Sequence, residues 1–180
     1  MPNAFGRVEE AVLSEEDRER FLRRALEAGA HEAKYISPRD VVTAHWVRLK
    51  CQYGCGAYGE RLTCPPYSPT PETTRRMLDE YHTALLLHFK PGRDVRRICA
   101  ELEREIFLAG YYKAFSFACG PCNLCEECPA EGCRYPRYGR PAMEAAGIDV
   151  FATARRAGFP IEVVASRECD QDYYGLVLID

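Results

Sequence analysis

The stretch ACGPCNLCEECPAEGCRYP, residues 118–136, carries Cys119, Cys122, Cys125, Cys128 and Cys133 within fifteen positions. It is rich in Pro, Gly and charge and poor in apolar side chains, so hydrophobic burial cannot order it. Something else must hold such a loop, and three devices compete: disulfides, a redox thiol or a metal site.

The rest of the chain discriminates between them. The opening MPNAFGRVEEAVLSEEDRER lacks the apolar core of a signal peptide, and no apolar run approaches the roughly 18 residues of a membrane span. A cytoplasmic protein without a membrane segment is expected. Ten cysteines in a reducing compartment argue against disulfides, and contiguous C-x2-C units would close little chain entropy. Net charge is 24 − 27 = −3, which gives no basic footprint for nucleic acid. Metal binding or thiol chemistry is left.

The cysteines fall into two sets. CQYGCGAYGERLTCPP supplies Cys51, Cys55 and Cys64, spaced C-x3-C-x8-C; the second set is Cys119, Cys122, Cys125, Cys128 and Cys133. Three plus five makes eight thiolates, enough for two four-thiolate sites. Four thiolates serve a structural zinc or a cubane iron–sulfur cluster. Zinc ribbons separate their C-x2-C knuckles by roughly 15–20 residues, and here the knuckles run on without a spacer. Contiguous C-x2-C units suit the corners of a cubane, although the run C-x2-C-x2-C-x2-C-P departs from the ferredoxin C-x2-C-x2-C-x3-C-P. That departure leaves open which cysteine goes to which site. Iron–sulfur is the favoured reading, as one or two [4Fe-4S] clusters, with zinc the alternative. A C-x3-C-x2-C radical-enzyme loop is excluded, because Tyr58 stands where its third cysteine would be.

Other candidates have plainer readings. Cys99 lies on the apolar stripe of a helix and reads as core, and Cys169 as an ordinary thiol in a turn. His45, His82 and His88 show no ligand spacing. Arg134, Arg137 and Arg140 flank the second set, as a solvated loop or as charge compensation for a bound cluster. There is no P-loop or G-x-S-x-G motif.

Periodicity predicts helices over about 14–29, with Ser14 as cap and Gly29 as stop; over 70–81, with Thr70 and Pro71 at its start; over 92–110; and over 147–159, with Asp149 as cap. Strands are expected in VVTAHWVRLKCQ, TALLLHF, YKAFSFA, PIEVVA and YYGLVLID. The expected fold is α/β (or α+β), within one metal-binding domain spanning 1–180. A single sheet would be flanked by helices, with an irregular cysteine-rich loop over 118–140 that binds metal.

RLKCQYGCGAYGERLTCPPYSPTPE, GPCNLCEEC, CRYPRYGRPAMEAAGIDVFATARRAGFPIEV and YYGLVLI together resemble domain-of-unknown-function family 2284. The resemblance runs from about Val47 to Ile179. It implies a bacterial or archaeal metal or iron–sulfur protein, with no established reaction. It also implies a ligand pattern on Cys51, Cys55, Cys64, Cys122, Cys125, Cys128 and Cys133, with the Cys119 position often a small residue. On that pattern the first set is one thiolate short, and Cys119, water, a substrate or an added thiol could complete it.

The expected role is single-electron exchange with a redox partner protein. An enzyme with an open iron that activates a substrate is the rival, and a zinc-based interaction module the third reading.

Overall fold

The computed structural model describes residues 13–129, 131–166 and 168–180. The N-terminal stretch read above for a signal peptide lies largely outside them. A four-stranded antiparallel sheet forms the centre, in the order β1-β2-β4-β3. Its strands are β1 (Glu32–Ile36), β2 (Thr83–Phe89), β3 (Phe115–Phe117) and β4 (Tyr173–Ile179).

The two central strands are buried on both faces, so TALLLHF and YYGLVLI read as near-continuous apolar runs. Leu85, Leu87, Phe89, Val177 and Ile179 face α1 (Glu15–Ala28) and α4 (Val95–Leu108), meeting Phe21, Ala25, Cys99, Leu102 and Ile106. The opposite face presents Ala84, Leu86, Tyr174, Leu176 and Leu178 to Leu78, Met143, Ile148, Val150 and Ile161. That second layer is built from α3 (Pro71–Leu78), a 3-10 turn at Glu144–Ala146 and α5 (Val150–Arg156). The expected caps are present: Ser14, Thr70 and Asp149 each accept a hydrogen bond from a backbone N–H of the first turn, and Gly29 ends α1 at φ 113°.

Three local expectations are corrected. VVTAHWVRLKCQ contains no strand: His45–Gly54 is α2. Trp46, Leu49 and Tyr53 recur at helical spacing but form an exposed face, and of its large apolar side chains only Val47 is buried. PIEVVA forms no strand; Ile161 enters the core and Glu162–Val164 stay outside the sheet. EAKYI, at 32–36, was not expected as a strand but forms edge β1, where Glu32 and Lys34 pair at 3.1 Å.

Gly175 sits mid-strand because α4 crosses it. A Cβ there would lie 2.3 Å from Cys99 Sγ and 3.3 Å from Val95 Cγ1 and the Phe117 carbonyl. Cys99 is fully buried and cannot swing away. Gly175→Ala should therefore destabilise by about 1–3 kcal/mol by overpacking, and Cys99→Ala in the same chain should return part of that loss. Urea melts of the two single mutants and the double mutant check this; strictly additive losses would show that the clash is not the cause.

Candidate metal centre

Cys51 lies in the last turns of α2, and Cys55 is the first residue beyond it, between Gly54 and Gly56. From there the chain folds back through backbone-closed turns. Gly59 N–H donates to the Pro65 carbonyl at 2.8 Å, Cys64 N–H to the Arg61 carbonyl at 2.9 Å, and Ser68 N–H to the Cys64 carbonyl at 3.1 Å. These turns bury Cys64 and bring it back to the end of α2. Arg48 fixes the arrangement, its Nη1 donating to Ser68 Oγ at 2.9 Å and to the carbonyls of Pro69 at 3.0 Å and Ala145 at 2.9 Å.

Cys119 arrives from the sheet. Ala118, just past β3, donates to the Pro141 carbonyl at 2.8 Å and accepts from Met143 N–H at 2.9 Å. The loop between therefore leaves and rejoins the fold at one place. Arg96, buried on α4, closes its base: the guanidinium donates to the Cys119 carbonyl at 3.4 Å, the Gly120 carbonyl at 2.8 Å and the Arg140 carbonyl. Arg140 in turn forms a two-pronged ion pair with Glu103, at 2.7 and 2.6 Å, and Glu103 also accepts from Ser116 N–H and Oγ at 2.7 Å each. Arg140 is thus a structural tie, while Arg134 and Arg137 are exposed, as a solvated loop would have them.

Cys51, Cys55, Cys64 and Cys119 line one cavity of about 770 Å³. Burial pushes the Cys51 and Cys64 thiols up, and the Cys119 thiol up to about 12. Without a cation they stay protonated; binding one would release those protons, since the thiolate is the ligand. Glu144 lines the same cavity close to Cys51 and Cys119, and burial raises its carboxyl above the ordinary range. Its Oε2 is buried with no hydrogen-bond partner among the described residues.

The second set lies outside. Cys122, Cys125 and Cys128 are half-buried and Cys133 is exposed, packed against Gly139, where a Cβ would stand 2.9 Å from its Sγ. The two sets touch through the 59–64 turn. Leu62 N–H points at Cys128 Sγ at 3.4 Å, Arg61 donates to the Cys125 carbonyl at 2.8 Å, and the Cys122 backbone N–H serves the Cys64 thiol. All ten cysteines are free; Cys99 is wholly buried, and Cys169 is an exposed thiol hydrogen-bonded by Ser166.

Among the described residues no three His, Cys, Asp or Glu side chains converge at the distances a single ion needs. The donor chemistry still fits a thiolate-held group: four cysteines line one open cavity, with four more thiols on the loop beside it. Those eight residues would hold it. The sequence singles out all eight by type and spacing, whereas no motif marks Arg96, Glu103 or Glu144. Arg96 and Glu103 lie between the apolar positions of α4, and Glu144 lies in a stretch without periodicity.

No helix among the described residues is long and apolar enough to cross a membrane. No curated protein and no solved structure matches the chain. One family model does, over residues 34–179, and its description is "Predicted metal-binding protein". That span takes in both cysteine sets, the sheet and the turn that joins the sets, so the chain belongs to domain-of-unknown-function family 2284, the predicted metal-binding proteins.

Proposed function

We propose that this is a cytoplasmic iron–sulfur protein of one metal-binding domain that exchanges single electrons with a redox partner protein. Cys51, Cys55, Cys64 and Cys119 would hold one [4Fe-4S] cluster, and Cys122, Cys125, Cys128 and Cys133 a second. The observation that carries the reading is the disposition of the first four cysteines: they line one cavity, and among the described residues no three metal-ligating side chains converge on a point. Zinc needs four ligand atoms within about 2.3 Å of one centre, whereas a cubane takes one thiolate at each of four separated corners.

When bound, such clusters supply one-electron transfer at potentials set by their surroundings. The chain contributes those surroundings. Leu62 N–H is aimed at Cys128 Sγ, and a hydrogen bond to a ligating sulfur tunes potential. The 59–64 turn touches both sets, which supports a short path between them. Trp46, Leu49 and Tyr53 are exposed along the helix that bears Cys51, an apolar face of the kind a partner covers.

Anaerobically purified protein should be brown and carry roughly four to eight irons with equal acid-labile sulfide. Metal and sulfide analysis decides the matter: stoichiometric zinc with negligible iron, even after anaerobic reconstitution, sinks the reading.

A further inference from the structure

The cavity of about 770 Å³ is larger than its thiols require, and its size lies in the range of small-molecule pockets. Part of its lining is apolar and comes from α5, the 161–164 segment and the start of β4, whereas the cysteines come from α2, the 55–64 turn and the end of β3. Ile161 and Tyr174 on this apolar wall are buried and belong to the core. Tyr174 is fixed twice, its ring stacked on His88 and its hydroxyl donating to the Pro160 carbonyl. This part of the wall is therefore already formed. Trp46 and Val163, also on the lining, are 48% and 74% exposed, so large apolar side chains border a standing apolar wall and are themselves uncovered.

The charges around this wall are already engaged or in water. Asp149 Oδ1 accepts from Ala152 N–H at 2.9 Å as the cap of α5. Asp172 Oδ1 accepts from Lys90 Nζ at 2.8 Å and pairs with the buried His88 ring at 2.6 Å. Glu162 is exposed, 3.9 Å from Arg155, and Lys50 is exposed as well. Glu144 stands beside Cys51 and Cys119, with Oε2 buried in the protein, and takes no part here. An ion drawn onto the apolar wall would lose hydration and meet no free counter-charge in return. A neutral ring loses little hydration and covers Trp46 and Val163.

We propose that the apolar part of the cavity is a binding site for a neutral aromatic molecule of one or two rings. Its body lies against Ile161 and Tyr174, with Phe151 and Trp46 as aromatic neighbours. Selection works against charge: an acid or an amine of the same shape is rejected because its head group is dehydrated without a partner. The inference adds a ligand to the thiol site and does not depend on which metal the thiols hold.

Calorimetry tests it on protein as purified, with iron and zinc measured on the same sample. The neutral probes are 3-phenylpropanamide and 2-naphthamide. The matched ions are 3-phenylpropanoate and 3-phenylpropylamine. At least one amide should bind saturably, at least tenfold tighter than either ion. Phe151→Ala should weaken that binding at least fivefold with metal content unchanged. Trp46→Ala, on an exposed side chain that folding does not need, should weaken it at least threefold. Leu108→Ala, on an exposed residue of α4 that does not line the cavity, should leave it as in the parent. Three results each overturn the proposal: neither amide binds, an ion binds as tightly as the amides, or Trp46→Ala binds like the parent. Zinc on a sample that shows the neutral preference would keep the site and sink only the iron reading.

Discussion

Arg96→Ala should lower the melting temperature by about 6–20 °C and release metal from the second cysteine set. The side chain is 4% exposed, and its guanidinium serves three carbonyls at the two ends of the 120–140 loop. Cys119 and Arg140 are half-buried, so truncation leaves their carbonyls short of a donor, while the exposed Gly120 turns to water. The cost is about 3–5 kcal/mol, and in a chain of this size each kcal/mol moves the midpoint by about 2–4 °C. Arg96→Lys should rescue little, because a single ammonium cannot span three acceptors as the planar fork does.

The effect on metal separates this from ordinary core damage. The loop's own residues bury little, so its order depends on its base and on whatever the thiols bind. With Arg96 gone, the base keeps the Ala118 backbone bonds and the Glu103–Arg140 pair. Metal content and hydrogen exchange over residues 118–140 should change before the sheet does. Gly175→Ala is the comparison: it should cost stability while leaving the loop's metal in place. An Arg96→Ala protein that melts within about 2 °C of the parent and retains its full metal complement would mean that the guanidinium does not hold the loop.

What the sequence made legible follows from where each signal resides. β2, β4 and α4 are buried by long apolar patterns, so TALLLHF, YYGLVLI and the Val95, Ile98, Cys99, Leu102, Ile106 stripe could be read directly. The capped starts of α1, α3 and α5 were equally readable, since Ser14, Thr70 and Asp149 act through local hydrogen bonds. α2 was not. Its inner side is held by Val47 and by Arg48 bonding to loop carbonyls, an arrangement set by tertiary partners 20 to 97 residues away. β1 is an edge strand whose five residues are only partly buried, so its charges masked its pairing.

The candidate site divides in the same way. Cysteines announce themselves by type and spacing, and all eight thiols of interest were visible in the chain. Their grouping was not: the contact of Leu62 with Cys128 depends on how two irregular segments pack, and no periodicity encodes that. Glu144 was hidden for a related reason. An acid in an unpatterned stretch reads as solvated until the fold encloses it between Cys51 and Cys119.

Cys119→Ala should remove about half of the bound iron and leave the other half on Cys122, Cys125, Cys128 and Cys133, because a cubane that loses a corner thiolate is destabilised. The family resemblance implies a pattern that omits Cys119, and the proposal that it joins the first set rests on its surroundings. It lines the cavity with Cys51, Cys55 and Cys64, and its main chain is pinned by Arg96, so the thiol is held at one position on the wall. Burial keeps the unbound thiol protonated, so only a cation repays its ionisation. Cys99 is the control: the same residue type, fully buried beneath Gly175, so Cys99→Ala should leave the metal count unchanged. Iron and sulfide counts with paramagnetic resonance on the two mutants distinguish a four-thiolate carrier site from a three-thiolate site open to a ligand. If Cys119→Ala keeps every iron and its resonance shifts when a small thiol is added, the first site has three thiolates. The cavity then reaches the metal itself, and the enzyme reading takes precedence over the carrier.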